Sequence, residues 1–454
     1  MVGSGIDIWG DSLSDYTHKI EESNKVNGKP VYYWKDVEGG RIPDGAGQVI
    51  LVNCNNVIVE NQDLNAANVG IEIAFSSHIT IRNNNCSNNE EGIRLWHSSS
   101  NIISANSASG NDNGIGCFET SNNNKITNNN VLNNVGGIWL EDSSNNTISN
   151  NVVNSNTDST IYLWRSSNNT IMNNEIRENG EVGIDLYRSS NNMIIHNSIS
   201  SNSKGLSLYN SKNNIISNNN CSSNNEDGIY LYYSSSNTIM NNIANSNTGD
   251  GIWVGYSGNN AITNNNASNN RRYGIHLIGS SNNSIENNNV SSNDEYGIRL
   301  FDSSLSNNIA NNCISNNAER GILLCDSCSN NGIKYNTISN NGIFGIDLVD
   351  SSDNDIEHNN ISNNYESGIW LYNSSNNNIT NNNIENNNDE WEEYGYGIRL
   401  SYSSNNLIYL NDFINNTCNV YSSNSSNIWN YTCLLYTSDA ADEGLGVDLG
   451  GRRI

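Results

Sequence analysis

The chain has 454 residues, with 47 Asp and Glu against 21 Lys and Arg and a formal net charge of −26. That balance excludes nucleic acid and anionic membrane as partners, and no run of about 18 apolar residues is present to span a bilayer. Hydrophobic residues make up 35% of the chain; with so much Asn and Ser, composition alone would describe a disordered tract.

The order of the residues overturns that description. Met1 opens onto neither a basic n-region nor a hydrophobic h-region, so no signal peptide is legible. Gly5-Ile6-Asp7-Ile8-Trp9 already reads as a strand, and the expectation is a chain continuing from a missing upstream region. Residues 10–43 break the pattern and hold both prolines, Pro30 and Pro43. Residues 1–43 are therefore expected to form a partial coil and an irregular segment. Strand patterning resumes at Val49–Val52 and Val57–Val59.

From Gly70 a unit of Gly-Ile-x-Leu type recurs, with Gly at 70, 92, 114, 137, 183, 205, 228, 251, 274, 297, 321, 345, 368 and 397, and Thr160 once in its place. These fifteen repeats are spaced 22–24 residues apart except the last, at 29. Such a period marks a stacked array. Each unit holds three short alternating segments, as in Ile184-x-Leu186, Ile194-x-His196 and Ile199, separated by Asn and Ser clusters that tolerate left-handed turns. Three strands and three turns per unit predict an all-β parallel β-helix solenoid over residues 44–432, with fifteen or more coils. At about 4.8 Å per coil the rod is roughly 70 Å long. Asn ladders are expected along its axis. A leucine-rich horseshoe is the rival at this period, but it needs longer, looser return segments.

The nine cysteines do not form a framework. Cys86, Cys221 and Cys313 are read at the inward third-strand position held elsewhere by Val131, Ile176 and Ile361, and Cys117 replaces the repeat Leu. Cys325 and Cys328 form a lone C-x-x-C with no second pair to complete a zinc site. The long final spacing comes from an acidic, aromatic insertion, Asp389–Tyr394, of the kind that sits on a solenoid's binding face; a solvated bulge is the alternative. Residues 433–454 contain no Asn and no repeat; back-translated, they read as a transposase-type sequencing adapter, and are expected to be library read-through rather than protein.

Val26-Asn27-Gly28-Lys29-Pro30-Val31-Tyr32-Tyr33, followed by the Gly-Ile-x-Leu and Ser-x-x-Asn-x-Ile repeats, resembles the NosD-like right-handed parallel β-helix family, in the group of carbohydrate-binding proteins and sugar hydrolases. The resemblance implies the fold and a link to carbohydrate. It also implies a periplasmic copper-maturation role, which six His and four Met scattered along the chain do not support.

In Gly-Ile-x-Leu-y-z the Ile and Leu point inward, so x and y face out. Trp139, Tyr162, Tyr230, Trp253, Arg299 and Trp370 stand at x, and Trp96, Trp164, Tyr187, Tyr209 and Tyr232 at y. The chain has 22 Tyr and nine Trp against five Phe, a bias toward rings with one wet edge. Long aromatic columns interleaved with charge suit sugar rings, and these eleven residues are the candidate substrate-binding set. Outward rings that only stiffen the sheet are the alternative. Asp302, Asp326 and Asp350 recur at z in consecutive coils with Asp347 at x nearby, the candidate catalytic set for a glycoside hydrolase or polysaccharide lyase. Asp302, Asp326 and Asp350 are also a candidate calcium site; ordinary Asp-rich turns are the alternative. The motifs Gly-His-Gly and Asp-Pro-His, found in sugar-processing enzymes of this fold, do not occur, so the residues favour a non-enzymatic role with no cofactor.

The expected function is that of an extracellular or cell-surface protein, with the periplasm as the other compartment, that binds or presents polysaccharide or serves as a rigid spacer or adhesin. Polysaccharide cleavage at the Asp patch is the runner-up, and copper-site maturation a weaker third. Asn-x-Ser/Thr triplets are frequent, but in so Asn-rich a chain they arise by chance.

Overall fold

The computed structural model describes residues 4–388 and 395–429. Three parallel sheets run along a solenoid. The front sheet has 19 strands: Lys25–Val26 pairs antiparallel with Lys29–Lys35, and from there the register is parallel, starting with Lys29–Lys35 beside Gln48–Val52. The side sheet runs from Glu38–Arg41 to Leu407–Tyr409, each strand pairing with the next coil's. The back sheet is an 8-stranded run from Asp63–Asn65 to Asn220–Cys221 and a 6-stranded run from Asn289–Ser291 to Asp412–Ile414. Isolated bridges through Ile243 and Asn266 join the two runs. Ala244 and Ala267 hold the inward position there.

Each coil sends its repeat Ile and Leu, one side-sheet Ile and one back-sheet residue into a single apolar column. Ile184, Leu186, Ile194 and Ile199 are all 0% exposed, and register holds like against like, Ile184 opposite Leu206 and Leu186 opposite Leu208. The repeat Gly sits at a close approach of the chain, a place that Thr160 takes once. A Cβ on Gly228 would lie 2.7 Å from the Gly251 carbonyl oxygen and 2.8 Å from that of Cys221.

The Asn-Asn pairs divide two tasks. The first Asn takes the left-handed turn, as at Asn173 with φ 55°. The second is buried and bonds the neighbouring coil rather than its own backbone. The Asn151 amide and Nδ2 both donate to Asn174 Oδ1 at 3.0 Å, and Asn174 Nδ2 donates to Asn197 Oδ1 at 2.9 Å. Three such Asn ladders and one Ser ladder run along the axis, satisfying groups that burial would otherwise orphan.

Several expectations are corrected. Gly5–Trp9 is not a strand. It lies over the front sheet, with the Ile6 amide donating to Gln48 Oε1 at 2.8 Å. With the short helix Leu13–Tyr16 it seals a second apolar cluster of Ile8, Tyr16, Val31, Ile50 and Ala74. The solenoid begins at Lys29, not residue 44. Cys313 is exposed, because it pairs with Asn289 while Ile314 takes the inward place. Cys86, Cys117 and Cys221 are buried as expected. Cys328 replaces a ladder Ser, its amide donating to Ser351 Oγ at 3.2 Å, and both it and Cys325 are free thiols. The Asp389–Tyr394 insertion and residues 433–454 lie outside the described residues.

Candidate functional site

The outer side of the front sheet carries three columns, since alternation extends one residue ahead of the repeat Gly. That leading position holds Gly136 and Ser159 early in the solenoid and Tyr273, Tyr296, Arg320 and Phe344 later. Small residues leave a hollow; large ones fill it.

At the amino-terminal end the columns are sealed. Arg94 is 1% exposed and pairs with Glu72 Oε1 at 3.0 Å and Asp7 Oδ1 at 2.5 Å. Burial pushes the Glu72 carboxyl up to about 7 despite Arg94. Trp96 meets Trp9 edge-on at 5.3 Å, so the amino-terminal segment covers this member of the candidate sugar-binding set.

Next comes a cleft of about 690 Å³, walled by Trp139 and Tyr162 and rimmed by Asp112, Asp158, Glu181 and Asp185. The two rings meet edge to face at 5.3 Å, and Asp185 sits opposite Tyr162 in the next coil. Burial holds the Asp185 carboxyl up at about 6; a hydrogen bond from Ser207 works against that shift, and the charges of Glu181 and Asp158 add to it. A hydrogen bond with Asp158, and its charge, raise the Glu181 carboxyl above its ordinary range. Burial also pushes the Tyr162 hydroxyl up to about 12.

Beyond the cleft the rings stack. Tyr187 and Tyr209 are parallel at 5.1 Å, Tyr209 meets Tyr232 at 5.5 Å, and Tyr230 lies on Trp253 at 4.4 Å. Tyr209 is 37% exposed. Trp164 carries the Arg165 guanidinium at 5.0 Å. Further along the columns close again. His276 Nδ1 lies 2.8 Å from the Asp250 carboxylate, and burial lowers the pKa of the ring. Arg299 donates to the Tyr273 hydroxyl at 3.0 Å, and Trp370 packs between Phe344 and Arg399.

The structure thus brings together Trp139 with Tyr162, and Tyr187, Tyr209 and Tyr232 with Tyr230 and Trp253. Trp96, Arg299 and Trp370 stand apart. Of the Asp set, Asp347 parts from the other three, which stay in equivalent turns of adjacent coils. Asp302, Asp326 and Asp350 are exposed at φ 55°, 54° and 50°, each at the left-handed turn that Asn or Asp commonly fills. Asp347 is buried on the sheet face with Arg320 Nε at 2.6 Å. Among the described residues, the one group of three His, Cys, Asp or Glu ligand atoms lying within 4.8 Å of one another is Glu119, Glu141 and Asp142, not Asp302, Asp326 and Asp350. Arg165 already pairs with Asp142 in that group. Sequence reasoning missed Asp112, Asp158 and Glu181 because they stand two residues before Gly114, Thr160 and Gly183, in the bend that leads into the strand, where period-two alternation carries no signal.

Coils of three parallel sheets around a single apolar column define a parallel β-helix, and its outward aromatic columns are what vary along it. The chain belongs to the NosD family. The family model described as periplasmic copper-binding protein (NosD) matches residues 22–204 and 306–437, and that of the right-handed β-helix region matches 154–260 and 221–361. No curated protein matches the chain. Among solved structures it is similar to the Dettilon tailspike protein gp208, at 16% identity and TM-score 0.48 over 61% of this chain and 59% of that one. It is also similar to the Azotobacter vinelandii mannuronan C-5 epimerase AlgE6 A-module, at 13% identity and TM-score 0.39 over 87% and 92% of the two chains. A third is the alginate lyase from Paenibacillus sp. str. FPU-7, at 13% identity and TM-score 0.36 over 52% and 92%. At these values the likenesses assign no chemistry to this chain. The copper in the family's description does not fit the residues present, because the converging group is three carboxylates with no His or Cys and copper sites favour imidazole and sulfur.

Proposed function

We propose that the chain binds polysaccharide along its front sheet, between the Trp139–Tyr162 cleft and the Tyr187–Tyr209–Tyr232 stack. The observation that carries this reading is the Tyr stack. Tyr187 and Tyr209 are held parallel at 5.1 Å, Tyr232 tilts against Tyr209 at 5.5 Å, and Tyr209 is 37% exposed, a preordered aromatic surface whose order costs little on binding. Hydroxyl edges beside the ring faces supply the hydrogen bonds a sugar needs. The setting is extracellular or cell-surface, with the periplasm as the alternative that the family's description supports; no helix among the described residues is long and apolar enough to cross a membrane.

The test is affinity electrophoresis through gels carrying a panel of polysaccharides. Retardation in one class of gel, lost in the variant Tyr209→Ala with Tyr232→Ala, is expected. Free migration in every gel would leave a rigid spacer or adhesin.

A second reading, polysaccharide cleavage, is favoured by one observation. Asp185 keeps its proton up to about pH 6 beside Tyr162 and the Asp158–Glu181 pair. A carboxyl poised to donate beside further carboxyl groups is the arrangement glycoside hydrolysis uses. Shortening of the retained polymer, abolished by Asp185→Asn, would establish it.

A further inference from the structure

At z, the residue after the y column, every coil turns through the left-handed region. Asn210, Asp302 and Asn373 fill it at φ 49°, 55° and 49°, as the backbone prefers. Phe75, His97, Arg188 and Tyr402 also stand there, at φ 51°, 46°, 51° and 53°, and Tyr233 and Tyr256 do so in consecutive coils, at φ 50° and 49°, although the region disfavours a bulky ring. Tyr233 and Tyr256 contribute nothing to the core. They are 47% and 45% exposed and stack on each other at 5.5 Å. Tyr209 joins them in lining a groove of about 360 Å³ whose remaining walls include Arg188 and Lys212.

The charge of this groove runs against the molecule. The chain carries 47 acidic residues against 21 Lys and Arg, yet no carboxylate lines the groove. Most described Lys and Arg side chains of the solenoid have a carboxylate within reach, as Lys204 has Glu226 and Lys334 has Glu357. Arg188 and Lys212 are exposed and form no ion pair among the described residues. Arg188 rests over the Tyr187 ring at 5.3 Å, an arrangement that holds the guanidinium beside the aromatic stack. The Trp139–Tyr162 cleft, rimmed by Asp112, Asp158, Glu181 and Asp185, is its opposite in sign.

We infer that this corner groove binds an anionic sugar unit, its ring on the Tyr209–Tyr233–Tyr256 surface and its carboxylate or sulfate ester on Arg188 and Lys212. The inference rests on the front-sheet glycan reading and narrows it to acidic polysaccharides. A guanidinium suits either oxyanion in bidentate fashion, so the two sources share one chemistry.

The experiment is calorimetric titration of the chain with polygalacturonate, dextran sulfate and uncharged dextran, at low and at moderate salt. At low salt one of the two charged polymers should bind at least about tenfold more tightly than dextran, and added salt should erode the difference. The polymer that wins identifies the oxyanion. Arg188→Ala with Lys212→Ala should abolish the preference; Tyr233→Ala with Tyr256→Ala should weaken binding of the preferred polymer. All four side chains are exposed, and circular dichroism checks that each variant folds; Arg188→Gln alone, which keeps the stem over Tyr187, gives the same reading with the least disturbance. Dextran bound as tightly as the charged polymers, or a preference that survives loss of both cations, overturns the inference and leaves the glycan reading standing. Binding of none of the three, with free migration in every polysaccharide gel, removes both.

Discussion

Replacing Asn174 by Ala cuts one rung from a buried ladder. The side chain accepts from the Asn151 amide and Nδ2 at 3.0 Å, and donates to the Ile148 carbonyl at 3.0 Å and to Asn197 Oδ1 at 2.9 Å. Four hydrogen bonds at about 1 kcal/mol net each, plus about 1–3 kcal/mol for an orphaned buried amide on Asn151, give a loss of roughly 5–7 kcal/mol. The neighbouring Asn173 is exposed at φ 55° and has only the turn to make. Asn173→Gly should therefore change stability by less than about 0.5 kcal/mol. Urea unfolding followed by circular dichroism measures both. Because a solenoid need not unfold in one step, amide exchange at Asn151 gives the local reading. The reasoning fails if Asn174→Ala is no more damaging than Asn173→Gly and the Asn151 amide stays protected.

Gly228→Ala places a Cβ within 2.7 and 2.8 Å of two backbone oxygens, and should cost at least about 2 kcal/mol in thermal unfolding; a wild-type melting curve would contradict the close packing of the corner. Arg94→Ala leaves Glu72 buried without its cation and should cost about 3–5 kcal/mol, freeing the amino-terminal segment to proteolysis between residues 4 and 24. Undiminished protection would show that Arg94 does not hold that segment. Burial lifts Asp185 from its ordinary 3.8 to about 6 in the folded chain, so folding favours its protonated form. Its contribution to stability is greatest below pH 3.8, falls as the pH rises from 3.8 to 6, and is level above. Asp185→Asn should flatten that fall, which amounts to about 3 kcal/mol for a rise from 3.8 to about 6; an unchanged pH profile of stability would refute the burial argument.

The fold was open in the sequence because its causes repeat. Ile and Leu return at fixed places, the Gly that two backbone oxygens crowd returns with them, and each Asn-Asn marks a turn. Departures arose where one residue shifts the frame. Cys313 looks inward by spacing, but in that coil Ile314 takes the place opposite Val290. Gly5–Trp9 copies the motif, yet it lies over the front sheet, which the strand from Lys29 to Lys35 already opens. The site was half legible. Alternation showed that Tyr162, Tyr187 and Tyr209 face out, but burial by neighbouring coils is a property of stacked columns. Nothing in the local order of Trp96 announces that Trp9 covers it. Asp302, Asp326 and Asp350 drew attention as a charged set, whereas each is a turn residue chosen by its backbone.

Hydroxyl-radical footprinting of the chain, free and with a polysaccharide that retards it in gels, tests front-sheet binding most directly. Protection of Tyr187, Tyr209 and Tyr232 is predicted, while Ile102 and Ile215, 42% and 43% exposed on the side sheet, react as before. Protection centred on Ile102 and Ile215, with the tyrosines unchanged, would contradict the account.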